Sequence, residues 1–205
     1  MMDNRSFDLW AESYDKDVIL TDDANEYPFA GYKNILSSIY STIMNRQRAV
    51  VLDIGFGTGT LAKKLYENGH IIYGQDFSSK MIEVASNMMP NAHLYQGDFT
   101  QGLVEELKQQ TYDFVVASYS IHHLTDSQKI SFLKDLVDRL NDGGKLLIGD
   151  VAFETREELN KCRIESGDGW DDDEFYCVVD ELRQEFSNLS FEKKTFCSGI
   201  LTITR

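Results

Sequence analysis

Short apolar runs and amphipathic segments alternate along this chain of 205 residues. An apolar run of this kind, bounded by glycine or acidic residues, predicts a buried strand. The predicted strands are 50–54, 71–76, 93–96, 112–117, 145–150, 190–196 and 200–204. The segments between them repeat apolar residues with the spacing of a helix face, as at Leu61, Ala62 and Leu65. The alternation predicts an α/β, doubly wound sheet of seven strands, mostly parallel, with an antiparallel C-terminal hairpin and helices on both faces.

Helix start signals place further boundaries between the strands. Ser78 is positioned to cap a helix, and Thr125 with Gln128 forms a capping box before another. We also predict helices over 102–109 and 154–164, where apolar residues recur on one side.

Three glycines at alternate positions follow the first predicted strand, and a helix pattern follows them. Gly55, Gly57 and Gly59 therefore form a loop between a strand and a helix N-terminus. Such a loop exposes backbone N–H groups, and glycine allows a ligand to approach the backbone closely. A dinucleotide-binding loop has glycine at its first, third and sixth positions, but the sixth position here is Thr60. The spacing therefore argues against an NAD-dependent oxidoreductase.

An acidic residue closes the second predicted strand. Asp76 follows Gly55 by about 20 residues, the spacing at which nucleotide-binding folds place the acid that binds a ribose. A carboxylate at this strand end can accept hydrogen bonds from both ribose hydroxyl groups. We therefore predict that Asp76 binds the ribose of a nucleoside-containing ligand.

The run Asp53-x-Gly55-x-Gly57-x-Gly59 resembles the first motif of class I S-adenosylmethionine (SAM) dependent methyltransferases. The resemblance extends over almost the whole chain and points to the small-molecule, ubiquinone-biosynthesis-like branch. It implies a Rossmann-like fold, SAM as the cofactor, and Asp53 as a residue that helps to hold the methionine part of SAM. The loop residues implied to lie against the cofactor are Gly55, Phe56, Gly57, Thr58 and Gly59.

Residues after the second and third strands are further candidates for contact with the cofactor. Asp98 followed by Phe99 resembles the family's third motif, which implies that Asp98 accepts from the adenine amino group and that Phe99 lines the ring. The alternative for this pair is an ordinary Gly-Asp turn. Phe77 directly follows the ribose acid, and Met81 lies at the start of the next helix, where it would border the adenine.

Residues 10–15 read Trp-Ala-Glu-Ser-Tyr-Asp, which is similar to the N-terminal element W-A-x-x-Y-D of many small-molecule methyltransferases. The resemblance implies that Tyr14 reaches the bound cofactor or substrate, with Trp10 as a lesser candidate. Apolar residues at helical spacing predict a short helix here. We interpret residues 1–29 as a lid over the site, and the alternative is a helix that merely docks on the core.

The fourth predicted strand leads into the sequence Ser-Tyr-Ser-Ile-His-His-Leu at 118–124. Ligands of doubly wound sheets bind beyond the carboxyl ends of the strands where the strand order reverses, so Ser118 and its neighbours are predicted to face the transferable methyl group. One histidine, His122 or His123, could act as a base or as a polar contact for the substrate, and the sequence leaves open which one. Because neighbours in sequence rarely chelate one ion together, we expect no metal site. The segment lacks the N-P-P-Y-like run of the family's DNA- and amide-methylating members.

Residues 151–188 are interpreted as a helical segment near the acceptor pocket. Four acidic residues at 171–174 are expected to begin a helix, because negative charge stabilises the positive end of a helix dipole. Its apolar face would contain Phe175, Val179, Leu182 and Phe186. The acidic run is therefore interpreted as a solvated helix start and not as a metal site.

The amino-acid composition limits which partners the protein is expected to bind and in which cellular compartment it is expected to occur. A formal net charge of −14 disfavours binding to nucleic acid and to anionic membranes. The cysteines, Cys162, Cys177 and Cys197, lie far apart and are predicted to be free thiols in a reducing compartment. The chain shows no signal-peptide pattern and no membrane-length apolar run, so the cytoplasm is the expected location and no membrane contact is expected.

The length predicts one domain, and we interpret residues 1–205 as a single methyltransferase domain, monomeric or homodimeric. The predicted reaction is methyl transfer from SAM to a small-molecule acceptor. Such a displacement depends on in-line placement and a dry pocket more than on dedicated acid–base residues, so no catalytic residue is assigned. The alternatives are a non-catalytic SAM-binding module and, less well supported, an NAD-dependent oxidoreductase.

Overall fold

One mixed β-sheet organises the computed structural model, which describes residue 22 and residues 24–205. Its strands are β1 (Val50–Ile54), β2 (Ile71–Asp76), β3 (His93–Gln96), β4 (Tyr112–Ser118), β5 (Leu140–Phe153), β6 (Cys177–Val178), β7 (Leu189–Lys193) and β8 (Ser198–Thr204). The strand order is β3-β2-β1-β4-β5-β8-β7, and β6 pairs with β5 beside this path. Neighbours among β1 to β5 are parallel, whereas β8 runs antiparallel to both β5 and β7. The predicted doubly wound sheet with its antiparallel C-terminal hairpin is confirmed.

Helices cover both faces of this sheet. They are α1 (Tyr32–Met44), α2 (Thr60–Glu67), α3 (Ser79–Met88), α4 (Glu105–Lys108), α5 (Asp126–Asp138), α6 (Arg156–Ser166) and α7 (Val179–Leu182). Successive strand residues point to opposite faces, so Val51 packs in the layer with α1 and α2, and Leu52 packs in the layer with α5. The sheet therefore separates two apolar layers and leaves the carboxyl ends of its parallel strands together at one edge.

Side-chain caps set two of the helix starts where the sequence predicts them. The Ser78 hydroxyl oxygen accepts a hydrogen bond from the Met81 N–H at 3.2 Å and begins α3. Thr125 and Gln128 form the predicted capping box before α5. Each cap satisfies N–H groups that have no partner within the helix, so it fixes the residue at which the helix begins.

The prediction of a helix starting at the acidic run 171–174 is wrong. The chain there is not helical, and it continues into the two-residue strand β6, which pairs with the carboxyl-terminal end of β5 and adds an eighth strand. Hydrogen bonds to distant residues keep this backbone out of a helix. The Phe175 N–H donates to the His122 carbonyl at 2.8 Å, and the Lys129 ammonium donates to the Phe175 carbonyl. A helix forms only at α7.

The helix predicted over 102–109 is shorter than expected. Gln75, which is fully buried in β2, donates to the Gly102 carbonyl at 3.0 Å and accepts from the Val104 N–H at 2.9 Å. These two bonds hold residues 102–104 in an extended connection, so α4 contains only Glu105–Lys108. Among the described helices, none is both long enough and apolar enough to cross a membrane.

Candidate active site

The carboxyl ends of β1, β2 and β4 meet at one edge of the sheet. Asp53 in β1 lies between Gly74 of β2 and Val116 of β4 in the strand register. Asp76 and Ser118 are the last residues of β2 and β4. The sheet extends in opposite directions from β1 and β4, so this is the crevice in which doubly wound folds bind ligands.

The glycine loop between β1 and α2 has a backbone that favours glycine at each of the three positions. Gly55, Gly57 and Gly59 have φ angles of 66°, 56° and 81°, a region that other residues rarely adopt. A Cβ atom on Gly55 would lie 2.6 Å from the Ser120 side chain, whereas one on Gly57 would meet nothing within 4 Å. The loop is therefore packed against the segment after β4 at Gly55 and open to a ligand at Gly57.

Asp53 is a buried carboxyl group at the tip of the central strand. The residue is 3 % exposed, and its Oδ1 atom has no hydrogen-bond partner among the described residues. Burial and the nearby negative charge of Asp76 raise the pKa of Asp53 to about 8. A buried carboxyl oxygen without a partner is costly, so this position favours a ligand that supplies a positive charge or a donor.

The Asp76 carboxylate ties the tip of β2 to the glycine loop. Its Oδ2 atom accepts from the Gly57 N–H at 2.8 Å, and its Oδ1 atom accepts from the Ser78 N–H at 2.9 Å. Each oxygen of a carboxylate can accept more than one hydrogen bond, so these backbone contacts are compatible with a further bond from a ribose hydroxyl group.

The pair Asp98–Phe99 forms a local turn in this structure. The Asp98 Oδ1 atom accepts from the Thr100 N–H at 2.9 Å and from the Thr100 hydroxyl at 2.7 Å. The Phe99 ring is 7 % exposed and stacks on Phe132, with 6.0 Å between ring centroids. Contact of either residue with an adenine stays a prediction.

The other predicted contacts lie around the same crevice. The Phe56 ring is buried against Gly74, so a ligand would meet this residue mainly through its backbone. Thr58, Phe77 and Ser118 are half-buried, and Met81 is 5 % exposed. Tyr14 and Trp10 lie outside the described residues.

A cavity of about 610 Å³ lies between α2 and α3. Thr58, Gly59 and Met81 line it, together with lysine side chains from both helices, but Asp53 and Asp76 do not. The cavity therefore lies next to the crevice, on the side formed by α2 and α3, and does not extend to Asp53 or Asp76.

A second polar cluster lies beyond the end of β4, beside Asp150 of β5, and the sequence did not predict it. The His122 Nδ1–H donates to Asp150 Oδ1 at 2.7 Å, and the His122 Nε2 atom lies 3.4 Å from Glu174 Oε1. The second Glu174 oxygen accepts from the Tyr176 hydroxyl at 2.5 Å, and that hydroxyl contacts the Tyr27 hydroxyl. The sequence did not predict this cluster because 28 residues separate His122 from Asp150. The acidic run that contains Glu174 was interpreted as a helix start.

Burial and charge act in opposite directions within this cluster. Burial by itself lowers the pKa of His122, but the adjoining Asp150 and Glu174 carboxylates outweigh it and leave the pKa raised. Burial also raises the pKa of Glu174 and of the Tyr119 hydroxyl. The cluster therefore favours a positive charge between its two carboxylates.

Gln75 and Ser120 are two further residues that position the site. Gln75 fixes the connection after β3 through the bonds described above, and the Ser120 hydroxyl donates to the Ile54 carbonyl at 2.9 Å. Both side chains are buried, and each holds a loop at the carboxyl edge of the sheet. The only feature of the sequence that could have indicated these two residues is their position near the ends of predicted strands.

Comparison with known proteins identifies relatives over most of the chain. Residues 51–144 match the family described as "Methyltransferase domain". An uncharacterized methyltransferase from Alkaliphilus oremlandii (strain OhILAs) is 33 % identical over 195 residues, which cover 92 % of this chain and 88 % of the relative. Another from Geobacillus thermodenitrificans (strain NG80-2) is 35 % identical over 193 residues, covering 90 % and 86 %.

Solved structures with the same fold are more distant in sequence. Magnesium protoporphyrin IX methyltransferase from Synechocystis PCC 6803 with bound SAH is 19 % identical, with a TM-score of 0.68 over 86 % of this chain and 84 % of that chain. A SAM-dependent methyltransferase from Clostridium acetobutylicum ATCC 824 is 14 % identical, also with a TM-score of 0.68, over 93 % and 98 %. The chain therefore belongs to the class I SAM-dependent methyltransferases, and it is an enzyme that uses SAM as its methyl donor.

Proposed function

We propose that this enzyme methylates a small-molecule acceptor at the crevice formed by the carboxyl ends of β1, β2 and β4. The observation that carries the proposal is the Asp53 carboxyl group, which is buried beside the glycine loop with an oxygen that lacks a partner among the described residues. A ligand with a cationic group and a ribose matches the two acidic strand ends Asp53 and Asp76.

The residues of the crevice fit SAM. Asp53 would accept from the methionine ammonium group, and Asp76 would accept from the ribose hydroxyl groups. The open backbone at Gly57 would lie against the cofactor, and the remaining predicted contacts would surround it. These are Tyr14, Gly55, Phe56, Thr58, Gly59, Phe77, Met81, Asp98, Phe99 and Ser118.

When bound, SAM supplies an electrophilic methyl group on a sulfonium. The chain's part is to orient the acceptor in line with that methyl group and to exclude water. Ser118 ends β4 beside the crevice, and the segment that follows it packs on Gly55 through Ser120. We therefore place the acceptor on the β4–β5 side of the crevice. The lid predicted for residues 1–29 falls mostly outside the described residues and stays a prediction.

The acceptor region extends toward residues 151–188. A smaller cavity of about 260 Å³ lies there, and its lining includes Trp170, Glu174 and Tyr176. This size suits a small acceptor. The net charge of −14 disfavours a nucleic acid substrate, because phosphates would be repelled.

Calorimetric titration with SAM, its demethylated product and NAD tests the cofactor site. We expect binding of the first two and none of NAD. Asp53→Asn should weaken SAM binding, whereas the matched control Asp113→Asn should not. Asp113 is the second residue of β4, at the opposite edge of the sheet, and forms an ion pair with Arg46 at 2.8 Å. Equal SAM affinity for all three proteins would refute the proposed role of Asp53.

Incubation with methyl-labelled SAM and a metabolite extract tests the acceptor class. Label should appear in the low-molecular-weight fraction, with one demethylated product formed per methyl group transferred. Label found only in protein or nucleic acid would contradict a small-molecule acceptor.

A further inference from the structure

The cluster beyond β4 and β5 contains two imidazoles and two carboxylates, and its central histidine is held in a fixed orientation. Asp150 is fully buried, and its Oδ1 atom accepts both from His122 Nδ1–H at 2.7 Å and from the Val151 N–H at 2.8 Å. A histidine that donates one ring N–H to a carboxylate presents its other nitrogen as an acceptor, which is the usual arrangement around protein-bound metals. Here the second nitrogen, Nε2, points toward Glu174.

The donor atoms of three side chains lie close together, and one of their separations matches that between two ligands of a metal ion. His122, His123 and Glu174 each offer one ligand atom, and these three atoms lie within 4.8 Å of one another. Ligand atoms of a tetrahedral ion with bonds of about 2.0–2.1 Å lie about 3.3–3.4 Å apart. The separation between His122 Nε2 and Glu174 Oε1 is 3.4 Å.

His123 can complete this set because its ring is beside that of His122. The two ring centroids are 4.4 Å apart and the ring planes are inclined by 69°, so the rings do not stack face to face. His123 is exposed to solvent, whereas His122 is buried. Both histidines belong to the one-turn 3-10 helix Ile121–His123.

Charge in the cluster also favours a cation. Asp150 and Glu174 are both acidic, and Asp150 Oδ2 is buried without a partner among the described residues. The nearby Lys129 ammonium is already engaged by the Phe175 carbonyl and lies 3.4 Å from Asp126. Buried carboxylates require compensation by a cation or by hydrogen bonds.

We propose that His122, His123 and Glu174 bind one divalent transition-metal ion of the Zn²⁺ type, with Asp150 orienting His122. Two imidazoles and one carboxylate suit such an ion, and three protein ligands leave a position for water or a substrate oxygen. The site is beside the cofactor crevice, because Ser120, two residues before His122, packs on Gly55. The expectation of no metal treated the adjacent histidines and the acidic run that contains Glu174 separately, whereas the fold brings Glu174 to the histidines.

Zn²⁺ titration of protein without a histidine tag, after dialysis against EDTA, tests the site without any acceptor. We expect one equivalent bound per chain at micromolar or lower Kd, measured by calorimetry and by elemental analysis after gel filtration. Glu174→Gln and His123→Ala should each weaken Zn²⁺ binding at least tenfold. Asp150→Asn should weaken it about 10- to 100-fold through His122.

His93→Ala provides the matched control, because His93 is an exposed histidine on β3 and lies outside the cluster. It should bind Zn²⁺ like the parent protein. His123→Ala changes an exposed side chain, so its fold should be intact by circular dichroism. SAM affinity measured on Glu174→Gln separates this proposal from the proposed function, since the cofactor contacts do not include Glu174.

Two results would overturn the metal site. One is less than one bound equivalent at 100 µM Zn²⁺ with the parent protein folded, which would leave the His122 imidazolium as the cation of the cluster. The other is Zn²⁺ binding that is unchanged in both Glu174→Gln and His123→Ala, which would place the ion elsewhere.

Discussion

Replacement of Asp53 by asparagine should change how stability and SAM binding depend on pH. Asp53 is 3 % exposed, and burial with the charge of Asp76 raises its pKa to about 8. In the unfolded chain an aspartate titrates near 3.9. Between these two values the native protein without SAM holds a proton on Asp53 that the unfolded chain has lost.

The sign and size of the effect follow from this difference. Because the native state binds the additional proton, the free energy of unfolding falls as pH rises, by about 1.4 kcal/mol per pH unit for one such group. From pH 5 to pH 7 the loss attributable to Asp53 is therefore at most about 2.7 kcal/mol. Asparagine does not titrate, so Asp53→Asn should lack this part of the pH dependence.

Urea unfolding at pH 5, 6 and 7 measures the effect on both proteins in the absence of SAM. The slope of the free energy of unfolding against pH should be more negative for the parent than for Asp53→Asn. The buried amide has its own cost, but that cost is independent of pH and does not enter the slope. Parallel slopes for the two proteins would show that Asp53 does not carry a proton in the folded state and would refute the reasoning.

SAM binding should show the opposite trend. A ligand ammonium group stabilises the ionised form of Asp53, so binding near pH 6 should release up to one proton from the parent protein. Calorimetry in two buffers of different ionisation enthalpy measures that number. Asp53→Asn should bind SAM more weakly and should release correspondingly fewer protons. Proton release that is equal in both proteins would assign it to another group.

Three further variants test other parts of the site. Asp76→Ala should weaken SAM binding roughly tenfold or more, because hydrogen bonds to a charged acceptor contribute about 1.5–3 kcal/mol each; an unchanged Kd would remove the ribose role. Deletion of residues 1–15 should leave a folded protein with weaker SAM binding and little methyl transfer; full affinity and activity in the truncated protein would refute the lid. Gly55→Ala should lower the melting temperature, because φ is 66° and the added Cβ would lie 2.6 Å from Ser120. Gly57→Ala is its comparison, with strained φ but no Cβ contact within 4 Å, and an equal loss for both would refute the packing argument.

The elements with strong local patterns were predictable. The first strand and its glycine loop carry an apolar run and three glycines, and the positive φ angles of all three explain why those residues stand there. The caps at Ser78 and Thr125 use side chains within three residues of their partners, so a short stretch of sequence contains both halves of the interaction.

The acidic segment shows where local patterns fail. Four acidic residues before an apolar set satisfy the rules for a helix start. The backbone of Phe175 instead donates to the His122 carbonyl and accepts from the Lys129 ammonium, and these bonds keep the segment out of a helix; both partners lie more than 40 residues earlier in the chain. Gln75 likewise keeps residues 102–104 out of a helix through its hydrogen bonds to Gly102 and Val104.

The sequence by itself determined the order of strands and helices from β1 to β5, the glycine loop and the acids near the ends of β1 and β2, because each depends on residues that are near one another in the chain. The tertiary structure alone decided that His122, Asp150 and Glu174 meet, and that Asp53 is buried with an oxygen lacking a partner among the described residues. Parallel pairing places the ends of β4 and β5 side by side, and the closure of β6 on β5 brings Glu174 to them. Which side chains share such an edge depends on strand register and loop closure, and these are fixed by long-range packing that no local pattern contains.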